Sequence, residues 1–67
     1  MDIGKSIRVA LAHRNENKSW LAKQLGCTPA WVSRLANGDV VPGGKSIEGL
    51  ADVFGMTVSE FIALGEK

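Results

Sequence analysis

Sixty-seven residues make at most one small domain, and a chain this short argues against a large enclosed active site. The lone Cys27 permits neither an internal disulfide nor a cysteine-based zinc site, and no apolar run approaches the roughly 20 residues of a membrane span. The formal net charge of +1 conceals a split: residues 1–38 carry six basic and two acidic side chains, a net +4, whereas residues 39–67 carry two basic and five acidic, a net −3.

Apolar residues at Ile3, Ile7, Ala10 and Leu11 recur at the helical interval and predict a first helix to about His13, ended by Arg14-Asn15-Glu16-Asn17. Asn17 is placed to cap a short second helix whose buried stripe is Leu21, Ala22 and Leu25, and Gly26 supplies a left-handed stop. Thr28 caps a third helix, Pro29 fits a first turn where no amide partner is needed, Val32 and Leu35 form the buried edge, and Gly38 ends it. From Asp39 to Lys45, Pro42 lacks a donor and two glycines follow, so a loop is expected. Ser46 is then the expected cap of a fourth helix, with Ile47, Leu50, Ala51 and Phe54 on one stripe and Gly55 closing it. Thr57-Val58-Ser59-Glu60 has the pattern of a capping box that opens a fifth helix bearing Phe61 and Ile62. No segment alternates like a strand, and the predicted fold class is all-α, one domain over residues 1–67.

The stretch from Leu21-Ala22 through Gly26 to Val32 and Leu35 carries the functional signal. Two short helices crossing steeply need a small residue at the crossing, a turn residue that tolerates a left-handed backbone, and apolar anchors on the second helix. Ala22, Gly26, and Val32 with Leu35 supply these in that order. Any helical hairpin can show part of this pattern, so on the residues alone DNA binding and a plain helical hairpin both remain open. The charge split suits a face for a polyanion, but solvated helix surfaces produce such splits as well.

The chain resembles the Cro and CI-type helix-turn-helix family of phage repressors and small bacterial regulators, the lambda-repressor-like or XRE group. Ile7-Arg8 is similar to the family's first-helix motif, Leu21-Ala22 and Gly26 to its second-helix core, Val32-Ser33-Arg34-Leu35 to its recognition helix, and Asn37-Gly38 to its exit. Pro42, Leu50-Ala51 and Phe54-Gly55-Met56-Thr57 fall at the spacing of its carboxy-terminal half. The resemblance implies a five-helix bundle whose third helix enters the major groove of duplex DNA while the start of the second touches the backbone. Lys18 stands where the family often has a glutamine that contacts phosphate and braces the recognition helix; lysine can do only the first. Asn37 matches an asparagine that bonds phosphate, and it also suits helix termination. Arg34 falls at a base-reading position, where arginine can pair bidentately with guanine. Ser19, Thr28, Ser33 and Lys45 complete the expected backbone contacts, with Ser33 contacting phosphate or nothing.

Two kinds of departure from the family pattern matter. Pro29 and Ala30 replace hydrogen-bonding base readers; Ala30 can touch a thymine methyl, and Trp31 either offers an apolar surface to the DNA or packs on the second helix. DNA shape is then expected to add to specificity. In the interior, Leu11 and Ala36 stand where many relatives pair an arginine with a glutamate, which fits replacement of a buried ion pair by apolar packing. Glu16 stands at an often apolar position, so the loop after the first helix is expected to differ. His13 suits a helix C-terminus, Cys27 a core position, and Trp20 either covers the first helix or marks a partner surface.

A sequence-specific transcriptional regulator that represses from a palindromic operator is therefore expected, cytoplasmic and without cofactor or metal. Subunits of such relatives meet through their carboxy-terminal halves. The expected homodimer contacts are Val40, Val41, Val58, Phe61, Ile62 and Leu64, in a dimer that forms fully only on DNA. The competing function is an antitoxin-type module that binds a protein partner and autoregulates through its helix-turn-helix. An enzyme is not expected, because one histidine, one cysteine and scattered carboxylates form no recognisable catalytic set.

Overall fold

In the computed structural model, which describes residues 2–66, five helices succeed one another: α1 (Ile3–Arg14), α2 (Lys18–Leu25), α3 (Pro29–Ala36), α4 (Gly44–Val53) and α5 (Val58–Leu64). No strand occurs among the described residues. Each helix delivers one anchor to a common core. Ile7, Leu21, Val32, Leu50 and Phe61 are all less than 2% exposed, and burial of a side chain of this size stabilises by about 1.5–3 kcal/mol. Phe54 extends that core by stacking on Phe61, with ring centroids 6.0 Å apart.

Local sequence signals set most helix ends. The side chains of Asp2, Asn17, Thr28 and Thr57 each accept a backbone amide at the start of their helix, and Thr57 with Glu60 forms the full capping box. The first four helices also end alike. A left-handed residue (Asn15, Gly26, Gly38 or Gly55) is followed by an amide that bonds five residues back: Glu16 to Leu11, Cys27 to Ala22, Asp39 to Arg34 and Met56 to Ala51. This closure satisfies carbonyls that a helix C-terminus otherwise leaves free. It also accounts for Glu16, whose amide completes the closure while its exposed side chain fills no apolar slot.

The start of α4 differs from expectation. Gly43, not Ser46, is the N-cap; it makes no side-chain capping bond, and Ser46 lies exposed in the first turn. Glycine tolerates the extended N-cap backbone and does not forbid helical geometry at the next residue, so the helix begins three residues earlier than the capping pattern suggests.

Two close approaches orient the bundle around the first turn of α1. A Cβ on Gly4 would lie 2.6 Å from the carbonyl oxygen of Ala36, so α1 meets the end of α3 backbone to backbone. Gly65, just beyond α5, approaches the carbonyl of Asp2 and the hydroxyl of Ser6 in the same way. Ser6 is fully buried and donates to the Asp2 carbonyl at 3.2 Å, which meets the requirement that a buried hydroxyl be hydrogen-bonded.

Candidate nucleic-acid interface

The turn between α2 and α3 spans residues 26–28 and fixes how the two helices cross. Gly26 holds φ at 71°, a conformation that costs an L side chain about 1–2 kcal/mol. The Thr28 hydroxyl accepts from the Trp31 amide at 3.2 Å, which starts α3 immediately. Val32, Leu35 and Ala36 then turn inward. The opposite stripe of the helix, Ala30, Ser33, Arg34 and Asn37 at i, i+3, i+4 and i+7, is left to solvent, with only Ser33 half-buried.

Pro29 and Trp31 flank this stripe, Pro29 exposed and Trp31 42% exposed. The Arg34 guanidinium lies 5.7 Å from the Trp31 ring centroid, a cation–π contact worth about 0.5–1 kcal/mol at an exposed site. Trp31 also borders a groove with Leu25, Cys27 and Leu50, so part of its ring meets the α2–α4 junction while the rest is open to solvent. Cys27 is half-buried there rather than enclosed in the core.

Lys18 and Ser19 open α2, Lys18 half-buried and Ser19 exposed, and Lys45 is exposed in the first turn of α4. Arg8 ties this region to α3. It lines a groove with Asn17, Lys18 and Ser19, and its guanidinium donates to the carbonyl of Ala36 at the end of α3. A cation there complements the negative end of the helix. Leu11 and Ala36 are 6% and 0% exposed, apolar as expected. Arg8, one turn before Leu11, therefore brings a positive charge to the end of α3; the sequence pattern placed it in the first-helix motif but gave it no role at α3. The spacing of Arg8 and Leu11 was the available signal.

Trp20 meets the last residue of the first helix. The Arg14 guanidinium sits 5.2 Å from its ring centroid, and Phe54 packs at 6.0 Å on another side. Of the expected interface residues, Phe61 must be withdrawn, because it is wholly enclosed in the core of its own chain and has no surface to offer. Val58, Ile62 and Leu64 are half-buried against that core, Val40 is half-buried, and Val41 is 86% exposed. Among the described residues, no group of three or more His, Cys, Asp or Glu side chains is placed to hold a metal, and no helix is long and apolar enough to cross a membrane.

Two short helices joined by a three-residue turn, the second presenting a solvent-facing stripe, define a helix-turn-helix. A family model described as "Helix-turn-helix domain" matches residues 13–64, more than half of the chain. The chain belongs to the helix-turn-helix domain family, and that membership supports duplex DNA as its partner. Neither a curated protein nor a solved structure gives a significant match.

Proposed function

We propose that this chain is a sequence-specific transcriptional repressor of the Cro/CI type, which places α3 in the major groove of a palindromic operator. The observation that carries this reading is the outward stripe of α3, where Arg34 is presented between Trp31 and Asn37 on a helix held rigidly by buried Val32, Leu35 and Ala36. Arg34 reads guanine through two donors, with Pro29, Ala30 and Trp31 against neighbouring base edges. Lys18, Ser19, Thr28, Ser33, Asn37 and Lys45 contact the phosphates that set the register. Arg34→Ala should cost about 1–3 kcal/mol and relax preference at one base pair, while Lys18→Ala should weaken all duplexes alike. Equal loss on all duplexes from Arg34→Ala would make it a backbone contact and remove the base-reading role.

One recognition helix reads few base pairs, so two copies are proposed to bind two half-sites about one DNA turn apart. Support comes from the loop of Val40 and exposed Val41, which borders the first turn of α1, the same turn that Gly65 approaches beyond α5. Val41 and Leu64 thus belong to segments that converge on one end of α1. An apolar edge this small fits a weak dimer completed on DNA.

A further inference from the structure

The first turn of α3 is chemically unusual for a base-reading surface. Pro29 and Ala30 are exposed yet carry no polar side-chain atom, and Trp31 has only its indole N–H. The major-groove edges of base pairs present acceptors, amino donors and a single apolar group, the C5 methyl of thymine. An apolar turn laid over the donors and acceptors strips them of water and returns no hydrogen bond, which is unfavourable. Against a methyl group the same turn excludes water from apolar surface on both sides, which is favourable.

One turn further along, Arg34 is the side chain on this stripe suited to bidentate base recognition, and its guanidinium already lies over the Trp31 ring, 5.7 Å from the centroid. A cation–π attraction holds the guanidinium near the ring without consuming its N–H donors, so the fork remains available to the O6 and N7 of guanine. Arg34 follows Ala30 by four residues, about 6 Å along the helix axis, while successive base pairs are about 3.4 Å apart. The two contacts therefore fall one or two base steps from each other.

We infer that α3 recognises a pyrimidine C5 methyl and a guanine one or two steps apart, the methyl seated on Ala30 and Trp31 and the guanine held by Arg34 beside the Trp31 ring. The inference rests on the DNA-binding reading of α3 and adds the base chemistry that α3 selects. It extends to 5-methylcytosine, which presents the same methyl group at the same ring position.

The full chain is first used to select duplexes from random DNA. In the selected site each thymine near a preferred guanine is replaced singly by deoxyuridine, which removes only the methyl; a cytosine and a 5-methylcytosine are then compared at that place. Loss of one buried methyl should weaken binding about fourfold, and 5-methylcytosine should bind about fourfold more tightly than cytosine. Trp31→Ala should shrink the thymine–deoxyuridine difference, leaving the part that Ala30 supplies, and should weaken the guanine preference because Arg34 loses its ring neighbour; should that variant fail to fold, the deoxyuridine series on the wild-type chain decides alone. Selected sites without a thymine within two steps of the guanine, or deoxyuridine duplexes that bind as tightly as thymine duplexes throughout, would overturn the inference while leaving sequence-specific binding intact. Absence of any sequence preference would overturn the DNA-binding reading itself, and this inference with it.

Discussion

Adding one methyl at Gly4 should destabilise the protein, whereas the same change at Gly49 should stabilise it. In a helix interior, alanine is favoured over glycine by about 1 kcal/mol. Gly49, within α4, has no atom within 4 Å of a added Cβ, so it should realise most of that gain. At Gly4 the Cβ would stand 2.6 Å from the Ala36 carbonyl oxygen, where a carbon–oxygen contact needs about 3.3 Å. The obstacle is backbone and cannot rotate away, so α1 and α3 must separate by roughly 0.7 Å to restore that contact distance. Such overpacking costs about 1–3 kcal/mol, which exceeds the helix gain and leaves Gly4→Ala less stable by about 1 kcal/mol. In a domain of this size each kcal/mol moves Tm by about 4–8 °C, so the two variants should diverge in opposite directions from wild type. Urea and thermal unfolding followed by Trp20 and Trp31 fluorescence measure both. A Gly4→Ala protein as stable as wild type, or more so, would refute the close approach of α1 to the recognition helix.

Arg8→Ala should loosen the end of α3, seen as faster amide exchange at Asn37, Gly38 and Asp39 with α5 little changed, and Arg8→Lys should recover part of it; equal acceleration in every helix would show no special tie to Ala36. The Glu60 carboxylate is held below its ordinary pKa, first by the Thr57 backbone amide and then by the Thr57 hydroxyl. Because the folded pKa is the lower one, this contribution is present at neutral pH and lost as pH falls through the carboxylate range. Glu60→Gln should remove that part of the acid dependence of α5, and an unchanged acid profile would contradict it. Leu64→Glu should lower the stoichiometry or cooperativity of binding to a palindromic duplex in sedimentation; a one-to-one wild-type complex that the substitution leaves unaltered would remove the dimer.

What was legible in the sequence was local. Asn17, Thr28 and the Thr57–Glu60 box announce their helices because a cap and its amide lie within three residues of each other. The apolar intervals likewise placed Ile7, Leu21, Val32 and Leu50 in the core. Gly43 was opaque because a glycine cap leaves no side-chain signature, and the two glycines looked like helix breakers. Gly4 and Gly65 were opaque for a different reason: each owes its role to a backbone segment far away in sequence. Phe61 was misassigned to a subunit contact because α5 carries several apolar groups, and which of them is enclosed depends on how α1 and α4 pack against it. On α3 the buried edge of Val32 and Leu35 was legible from the residues, but the approach of Arg34 to the Trp31 ring required the side chains in place.

The central claim is specific recognition of duplex DNA by α3, and a competition titration across salt concentration tests it most directly. A selected duplex should outcompete random duplex at every salt concentration, and its affinity should fall linearly on a log–log scale, with a slope of about −0.9 for each phosphate neutralised by residues such as Lys18 and Lys45. Binding that never distinguishes the selected duplex from random DNA would contradict the claim.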